Sequence, residues 1–392
     1  MTQFSSRWAQ GSSLRDLNPS QARGGTLTSS RKECGRARRY QQPHALLDAW
    51  PPGVGRLALG APKTRQLGPL KAPLMGLGTW SWGNQFLWGY EESMDAELQE
   101  LFNFAIKKGV TLFDTADSYG TGRLNGRSEQ LLGKFIAESP ARRKTREGIL
   151  VATKLAAYPW RLTPAQFVKA CRGSLRRLGV DQIALGQLHW SVAKYAPPLE
   201  RVLWEGLAGM YEQDLVRAVG VSNYGPRQLE RISKYLTERG VPLASAQVQF
   251  SLISRGPQQR DIKDVCKALG IGLIAYSPLG LGMLTGKYSV SAGVLPKGPR
   301  GALFRQILPG LEPLLGTMEA IARDRRKSIS QVAINWCIAQ GAIPIPGAKS
   351  LRNAQDNINA MSWSLSSAEL DELDSAADKA PRGMIQNIFQ TN

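Results

Sequence analysis

Short apolar runs alternate with longer helical patterns along most of the chain, from residue 74 onward. Each run is six to eight residues long, which is the length of a strand rather than of a helix. The eight runs are LMGLGTW (74–80), VTLFDTA (110–116), ILVATK (149–154), IALGQLHW (183–190), RAVGVSN (217–223), SAQVQFS (245–251), GLIAYSPL (272–279) and AIPIPGAK (342–349). We predict that each run forms one strand.

The segments between the runs are predicted to be amphipathic helices. Stretches such as MDAELQELFNFAIKKG and TPAQFVKACRGSLRRLG place apolar residues three or four positions apart, and most of these segments end in Gly. This spacing gathers the apolar side chains on one helix face, and Gly commonly follows the last helical residue. Strands that alternate with helices pair in parallel through right-handed crossovers. Eight repeats therefore predict an α/β fold, a closed (β/α)8 TIM barrel that forms a single catalytic domain.

An open, doubly wound sheet is the alternative architecture. Such a sheet usually carries a GxGxxG turn directly after its first strand, where it binds a dinucleotide. The stretch GLGTWSWG after the first run does not match that turn, and the similar GLGMLTG (280–286) follows the seventh run instead. The sequence thus favours the closed barrel.

The first part of the chain has a different composition. Residues 1–70 carry eleven Lys or Arg against three acidic residues, a net charge of +8 out of +19 for the whole chain. The segment is rich in Ser, Arg, Gln and Gly and contains no apolar core of a secretory signal. That composition matches an organelle transit peptide, with a disordered basic tail as the alternative. We expect residues 1–66 to be a disordered leader and residues 67–392 to be the barrel.

The remaining composition excludes several classes of protein. No run approaches the roughly 18 apolar residues of a membrane span. The basic residues of the barrel are scattered and belong to no nucleic-acid-binding motif, so we expect neither a membrane nor a nucleic-acid partner. With only two His and no CxxC pair, a zinc site is not expected, and the cysteines favour a reducing compartment. The four cysteines are Cys34, Cys171, Cys266 and Cys337. The oligomeric state is left open, and a monomer is compatible with the sequence.

Four titratable residues fall at the ends of three consecutive predicted strands. Asp114 and Tyr119 follow the second strand, Lys154 ends the third, and His189 ends the fourth. Each residue also has a purely structural interpretation. Asp114 could cap a helix, Tyr119 could pack its ring, Lys154 could be a solvated strand end, and His189 could be a core histidine. The carboxyl ends of barrel strands, however, all meet at the face where barrel enzymes have their active sites. We therefore expect the four side chains to form one catalytic cluster.

Carbonyl reduction is the chemistry that suits this cluster. Hydride addition to a carbonyl carbon leaves an alkoxide that needs a proton, but a free tyrosine has a pKa of about 10 and is a poor acid. The ammonium of Lys154 is expected to stabilise the phenolate of Tyr119 and lower its pKa. Asp114 would hold that lysine, and His189 would orient and polarise the carbonyl oxygen. The sequence predicts a metal-free oxidoreductase.

The motifs FDTADSYG, VATK and QLHW resemble the Asp/Tyr/Lys/His tetrad of the aldo-keto reductases, and GVSNY, AYSPLGLGMLTGKY and PIPGAKSLRNAQDNI resemble the cofactor motifs of that family. The resemblance implies a TIM barrel that binds NADPH or NADP+ without a Rossmann domain. It also implies that Tyr119 is the proton donor among the catalytic residues Asp114, Tyr119, Lys154 and His189.

The same resemblance implies a set of cofactor-binding residues. Ser222, Asn223 and Gln247 would bind the nicotinamide amide, and Tyr276 would stack on its ring. The residues implied along the rest of the cofactor are Ser277, Leu279 and Lys287 at the pyrophosphate, Gly347 and Lys349 at the 2′-phosphate, and Asp356 and Asn357 at the adenine. Many family members carry Arg or Gln at position 353, so Asn353 places more of the NADPH preference on Lys349. The alternative for Lys287 is a solvated side chain that does not contact the cofactor.

Several loop stretches resemble one plant plastid subgroup of the family, among them GTWSWGNQFLWGYEESMD, AAYPWRLTPAQFV and the tail MIQNIFQTN. This resemblance implies NADPH-dependent reduction of pyridoxal to pyridoxine in vitamin B6 salvage, in the chloroplast stroma. The alternatives are a broad-specificity NADPH aldehyde or ketone reductase and an NADPH-binding regulatory barrel. Because pyridoxal is a flat aromatic aldehyde, we expect Trp82, Trp160 and Trp190 to form its wall, unless they only pack the barrel rim.

Overall fold

A computed structural model describes residues 64–120, 126–140 and 148–380, together with residues 384, 387 and 389–391. The predicted leader, 1–66, lies outside the described residues except for its last three. Those three residues belong to a strand, β1 (Thr64–Leu67), which pairs in an antiparallel hairpin with β2 (Leu70–Pro73). The chain is thus already in regular structure before position 67, where the barrel was expected to begin.

Eight parallel strands form the barrel sheet, in the order in which they occur along the chain. They are β3 (Leu77–Gly78), β4 (Leu112–Asp114), β5 (Leu150–Leu155), β6 (Ile183–Leu188), β7 (Val216–Ser222), β8 (Leu243–Gln249), β9 (Gly272–Tyr276) and β10 (Ile343–Pro344). Each lies within or overlaps one of the eight predicted runs. The predicted (β/α)8 TIM barrel is confirmed.

Main-chain contacts between the first and last strands close the barrel. The amide of Gly76 donates to the carbonyl of Pro344 (3.0 Å), and that of Gly78 donates to Pro346 (3.2 Å). A parallel bridge joins Gly78 to Gly347. A Cβ atom on Gly78 would lie 2.9 Å from the carbonyl oxygen of Ile345, so a residue without a side chain is needed at this seam.

The hairpin covers the amino-terminal end of the barrel. Its residues Leu67, Leu70 and Ala72 are at most 1% exposed. They pack in one apolar cluster with side chains from the barrel strands, including Leu112 and Ala244. Hydrophobic burial of the hairpin thus covers this end of the barrel core.

Helices surround the barrel and connect its strands. They are α1 (Gln85–Trp88), α2 (Asp95–Lys107), α3 (Arg127–Glu138), α4 (Pro164–Leu178), α5 (Pro197–Glu212), α6 (Pro226–Glu238), α7 (Pro257–Ala268), α8 (Pro299–Ile307), α9 (Glu312–Arg325), α10 (Ile329–Ala339), α11 (Leu351–Asn359) and α12 (Ser367–Asp378). Short 3-10 helices cover Glu92–Met94, Gly280–Thr285, Leu308–Leu311 and Ala360–Ser362.

Local sequence explains where individual helices begin and end. Thr163 and Gln166 form a capping box at the start of α4, with Pro164 in the first turn, and the helix ends at Gly179 in the left-handed conformation (φ 63°). Such caps satisfy the free backbone groups of helix ends. Within the ranges that the structure describes, none of the helices is long and apolar enough to cross a membrane.

Candidate active site

A large cavity opens at the carboxyl ends of the barrel strands, with a volume of about 1380 Å³. Its lining includes all four predicted catalytic residues, Asp114, Tyr119, Lys154 and His189. All of the predicted cofactor residues also line it, namely Ser222, Asn223, Gln247, Tyr276, Ser277, Leu279, Lys287, Gly347, Lys349, Asp356 and Asn357. The barrel thus brings together residues that are far apart in the sequence.

A buried ion pair lies at the bottom of the cavity. Lys154 Nζ is 2.5 Å from Asp114 Oδ1 and donates a second hydrogen bond to the carbonyl of Thr115 (2.9 Å). Asp114 is 2% exposed and Lys154 is 1% exposed. Burial alone would lower the pKa of Lys154, but Asp114 and Tyr119 outweigh it and raise the pKa above the ordinary value. The lysine is therefore a fixed cation under the cavity floor.

Two glutamines complete the surroundings of the Asp114 carboxylate. Its Oδ2 atom accepts hydrogen bonds from the side-chain amides of Gln247 (2.7 Å) and Gln187 (3.3 Å). Gln247 was predicted to bind a nicotinamide, and here its NH2 group donates to the acid instead. Gln187 points into the barrel from β6, and its contact with Asp114 was not predicted. In the run IALGQLHW it is only a polar residue inside an apolar strand, which does not indicate its partner.

Tyr119 lies directly above this lysine. The Lys154 ammonium is 4.9 Å from the centre of the phenol ring. Burial raises the pKa of Tyr119, and the Lys154 charge only partly opposes this effect, so the net shift is upward. Lys154 lowers the pKa of the phenol, as expected from the sequence, but the burial that brings the two groups together disfavours the phenolate more strongly.

His189 stands beside the phenol on the rim of the cavity. The ring centres of Tyr119 and His189 are 5.7 Å apart, and Nδ1 of the imidazole lies 3.3 Å from the hydroxyl of Ser118. Burial and the nearby Lys154 charge lower the pKa of His189 well below 6.5. The imidazole is therefore neutral at physiological pH and can serve as a hydrogen-bond donor without carrying charge.

A second group of polar residues follows β7 and β9. Asn223 has a left-handed backbone (φ 62°), and its amide group donates to the carbonyl of His189 (3.0 Å) and to the hydroxyl of Ser222 (3.2 Å). Its Oδ1 accepts a hydrogen bond from the Tyr276 hydroxyl (2.8 Å), to which Asn387 donates in turn (3.1 Å). The last residues of the chain thus help to hold the ring of Tyr276.

One end of the cavity carries a basic cluster, made of Lys287, Arg300 and Lys349. Arg300 stacks on Trp88, 4.5 Å from the ring centre, and donates to the carbonyl of Leu281 (2.7 Å). Lys349 donates to the carbonyl of Trp88 (2.9 Å), and its pKa is lowered by burial and by the other two cations. Cations held this close repel one another, which favours an anionic ligand between them. Arg300 was not predicted from the sequence.

The residues predicted around the adenine lie on and near α11. Asp356 accepts hydrogen bonds from Ser328 (2.9 Å) and Gln331 (2.8 Å), so its carboxylate is already partnered. Asn357 is buried, and its amide lies 3.4 Å from the carbonyl of Gly347. Asn353 is exposed at the cavity margin.

Of the three tryptophans predicted to form the substrate wall, two do not line the cavity. Trp82 is 1% exposed and packs in the core against Phe135, and its indole NH donates to the carbonyl of Ala348 (3.0 Å). Trp160 is 59% exposed and stacks on Tyr158, but it is not part of the cavity lining. Only Trp190 lines the cavity.

Other aromatic side chains line the cavity near Trp190. Trp80 lies 6.3 Å from Tyr119, and Tyr158 meets Trp190 edge to face at 6.3 Å. Phe389 stacks on Trp190, with ring centres 4.6 Å apart. Trp80 and Tyr158 stand in loops that the sequence marked as aromatic, whereas Phe389 is far along the chain and no local signal places it here.

Comparisons with known proteins agree with this geometry. Residues 74–378 match the model of the Aldo/keto reductase family. The chain is 63% identical over 326 residues to the chloroplastic pyridoxal reductase of Arabidopsis thaliana, covering 83% of this chain and 89% of that protein.

Two solved structures share the fold. The glycerol dehydrogenase of Gluconobacter oxydans has a TM-score of 0.68 and 26% identity, covering 84% of this chain and 98% of its own. An aldo-keto reductase of Bombyx mori, solved in complex with NADP, has a TM-score of 0.60 and 26% identity, covering 81% and 94% of the two chains. Together with the closed barrel and the Asp114, Tyr119, Lys154 and His189 cluster, these matches show that the chain belongs to the aldo/keto reductase family.

Proposed function

We propose that the protein is an NADPH-dependent reductase that converts pyridoxal to pyridoxine. The observation that carries the reaction type is the position of Tyr119, which stands in the cavity between the Lys154 ammonium and the neutral imidazole of His189. A phenol between a cation and a hydrogen-bond donor is suited to give a proton to a carbonyl oxygen.

The residues around the cavity fit NADPH. The basic cluster of Lys287, Arg300 and Lys349 suits the phosphates, and the 2′-phosphate in particular, because it gathers cations at one end of the cavity. Ser222 and Asn223 would bind the amide of the nicotinamide at the other end. The aldo-keto reductase of Bombyx mori, which was solved in complex with NADP, supports this choice of cofactor.

The reaction needs a hydride and a proton. NADPH, when bound, supplies the hydride to the carbonyl carbon of the aldehyde. Tyr119 gives its proton to the carbonyl oxygen, and Lys154, held by Asp114, stabilises the phenolate that remains. His189 donates a hydrogen bond to the same oxygen from the one protonated nitrogen of its neutral imidazole. This hydrogen bond holds the oxygen in position. A proton from solvent then restores the phenol.

Substrate choice rests on the aromatic wall and on the named relative. Trp80, Tyr158 and Trp190 line the cavity near Tyr119, and flat aromatic rings pack well against such faces. The Arabidopsis protein, 63% identical, is named for its action on pyridoxal. Pyridoxal is a flat aromatic aldehyde, so the aromatic lining of the cavity and the name of the Arabidopsis protein point to the same substrate class.

The test follows NADPH oxidation by the purified protein with pyridoxal, pyridoxal 5′-phosphate and a panel of unrelated aldehydes. We expect kcat/KM to be highest for pyridoxal. Similar low values for all aldehydes would favour the alternative of a broad-specificity reductase. Tight NADPH binding without any turnover would favour a regulatory barrel.

We also propose that the segment before β1 is a plastid-targeting leader and that the enzyme acts in the chloroplast stroma. The basic, Ser-rich composition of the segment and the chloroplastic name of the Arabidopsis relative support this. Import of the labelled full chain into isolated chloroplasts, with loss of the leader, is the expected result. A chain that stays outside the organelle and keeps its full length would contradict it. A variant without residues 1–63 serves as the negative control, because it retains the whole hairpin.

A further inference from the structure

A buried carboxylate, that of Glu200 on α5, lies behind the rim of the active site. Glu200 is 6% exposed and is not part of the cavity lining. Each of its two oxygens accepts two hydrogen bonds, and none of the four donors carries a charge. A carboxylate out of water is costly unless such hydrogen bonds replace the water that it has lost. The four donors therefore show what this acid holds in place.

One oxygen holds the segment that follows His189. Oε2 of Glu200 accepts from the hydroxyl of Ser191 (2.8 Å) and from the main-chain amide of Val192 (2.8 Å). These two residues come directly after His189 and Trp190, which both line the cavity. Oε2 thus anchors the chain immediately beyond two residues of the site.

The other oxygen holds the segment that follows Asn223. Oε1 of Glu200 accepts from the hydroxyl of Tyr224 (2.6 Å) and from the indole NH of Trp204 (3.0 Å). Tyr224 is fully buried and directly follows Asn223, whose side chain donates to the carbonyl of His189 (3.0 Å). The two rim segments therefore meet twice, at the cavity through Asn223 and behind it through Glu200.

We propose that Glu200 is a positioning residue that joins the segment carrying His189 to the segment carrying Asn223, and so fixes the imidazole relative to the bound nicotinamide. The proposal rests on the proposed function, in which His189 meets the carbonyl oxygen and Asn223 binds the amide of the cofactor. A hydride passes only between closely aligned reactants, and a misplacement of about 1 Å can lower the rate about a hundredfold.

The geometry requires a carboxylate at this position and not an amide. Each oxygen faces one donor that cannot reverse its role, the amide of Val192 on Oε2 and the indole NH of Trp204 on Oε1. The hydroxyls of Ser191 and Tyr224, in contrast, can turn and accept. In Glu200→Gln the new NH2 group must face either the Val192 amide or the indole, so one segment loses its anchor in either orientation.

The first test measures reduction of pyridoxal by Glu200→Gln, at a temperature where the variant is folded. We expect kcat/KM to fall about tenfold to a hundredfold. Adding Trp204→Phe removes the indole donor, so the glutamine NH2 can face Tyr224 while its oxygen faces Val192. The double variant should therefore be as active as Trp204→Phe alone.

Two outcomes of this test would overturn the proposal. One is full activity in Glu200→Gln, and the other is a double variant that loses as much activity as the two single changes combined. Glu205→Gln is the matched control, because it alters a carboxylate on the same helix whose ion pair with Arg201 (3.4 Å) lies at the surface. A surface pair of this kind contributes little, so the control should behave as the parent protein.

The second test separates the two segments with smaller changes, which also serve if Glu200→Gln does not fold. Ser191→Ala loosens the His189 segment and should lower kcat about threefold to tenfold, the range of one hydrogen bond, with the Kd for NADPH unchanged. Tyr224→Phe loosens the Asn223 segment and should raise the Kd for NADPH. Equal effects of the two variants on kcat and Kd would mean that the acid supports the fold in general, and would overturn the positioning role.

Backbone hydrogen exchange distinguishes the failure of this proposal from the failure of the proposed function, because it needs no turnover. We expect faster exchange in Glu200→Gln within residues 189–196 or 223–225, and no change in Glu205→Gln. Unchanged exchange in both segments would overturn the proposal. A protein that reduces no aldehyde would contradict the proposed function, while the exchange rates would still decide whether Glu200 holds the two segments.

Discussion

At the scale of single residues, the structure separates the proposed proton donor, Tyr119, from the groups that hold it. Tyr119 is open to the cavity, whereas Lys154 and Asp114 are buried beneath it. Substitutions at these positions should therefore affect activity and stability differently.

Tyr119→Phe should lower kcat/KM for pyridoxal by a factor of about 10² to 10⁴, the usual range for loss of a general acid. NADPH affinity should stay nearly the same, because only one hydroxyl is removed. Fluorescence titration with NADPH and steady-state rates check both statements. Tyr211→Phe, on α5 outside the cavity lining, is the control and should behave as the parent protein. An equal loss of NADPH affinity in Tyr119→Phe would mean that the tyrosine is structural.

Lys154→Met should destabilise the protein by about 3–5 kcal/mol, because it leaves the Asp114 carboxylate buried without its cation. Adding Asp114→Asn removes that charge and should recover most of the lost stability. It should not recover the activity, since the phenolate of Tyr119 still lacks the ammonium. Thermal unfolding and turnover of the single and double variants test this. Recovery of activity in the double variant would show that Lys154 serves the fold alone.

The pH dependence follows from the directions of two pKa shifts. The pKa of Tyr119 is raised above 10.0, so the phenol keeps its proton throughout the neutral range. His189, with its pKa well below 6.5, stays neutral in the folded protein as the pH falls through 6.5, whereas an unfolded histidine takes up a proton there. The contribution of His189 to stability should therefore be fully present above pH 6.5 and decline as the pH falls below it.

The aldehyde kcat/KM should be flat through neutral pH and fall only above about pH 10, where Tyr119 loses its proton. Initial rates across this range at saturating NADPH give the profile. A midpoint below about pH 8 would mean that the bound cofactor changes the surroundings of the phenol enough to lower its pKa.

At the scale of elements, the hairpin and the closing seam determine which end of the barrel can hold a ligand. The hairpin packs against the start of β9, where a Cβ atom on Gly272 would lie 2.2 Å from Leu67 Cδ2. Leu67 is fully buried, so its side chain has little room to move.

Gly272→Ala should destabilise the protein by about 1–3 kcal/mol through this overlap. Leu67→Ala alone should cost about 2–5 kcal/mol, because it leaves a cavity. The double variant should be more stable than the sum of the two changes predicts, since the shortened side chain at position 67 makes room for the new methyl group. Urea unfolding of the four proteins measures the coupling. Additive losses would show that the hairpin does not press on β9.

The tail is the second element that matters for the site, because it comes back to the barrel from the end of the chain. Thr391 donates from its amide to the carbonyl of Asn223 (3.1 Å), and its hydroxyl accepts from the amide of Gly225 (2.9 Å). Lys194 donates to the carbonyl of Gln390. These contacts bring Phe389 onto Trp190 and complete the aromatic wall.

At the scale of the whole molecule, the positive charge is the dominant feature. The net charge is +19, and three cations gather at one end of the cavity. A field of this sign attracts anionic ligands over long distances and is screened by salt.

The Kd for NADPH should rise with ionic strength, and the Kd for NADH should rise less, because NADH lacks the 2′-phosphate. Lys349→Met should weaken NADPH binding and reduce the difference between the two cofactors, with Lys71→Met, at an exposed position of the hairpin, as the control. Titrations at several salt concentrations provide the measurement. Equal salt dependence for NADPH and NADH would place the 2′-phosphate away from the basic cluster.

The sequence alone determined the repeating architecture and the rim residues. Hydrophobic periodicity is a local property, so the eight runs already identified all eight barrel strands. Because the carboxyl ends of parallel strands meet on one face, their last residues also identified the cluster of Asp114, Tyr119, Lys154 and His189. Motifs at the strand ends likewise located most of the residues that line the cavity.

Only the tertiary structure decided which side chains turn inward and what they contact. Trp82 lies two residues from Trp80, yet Trp82 is buried in the core, where its indole donates a hydrogen bond to Ala348, and Trp80 faces the cavity. The hairpin, the Gln187 and Gln247 contacts on Asp114 and the return of Phe389 all depend on partners far away in the sequence. The upward pKa shift of Tyr119 has the same origin, because desolvation depends on everything packed around a group and cannot be read from its neighbours in the chain.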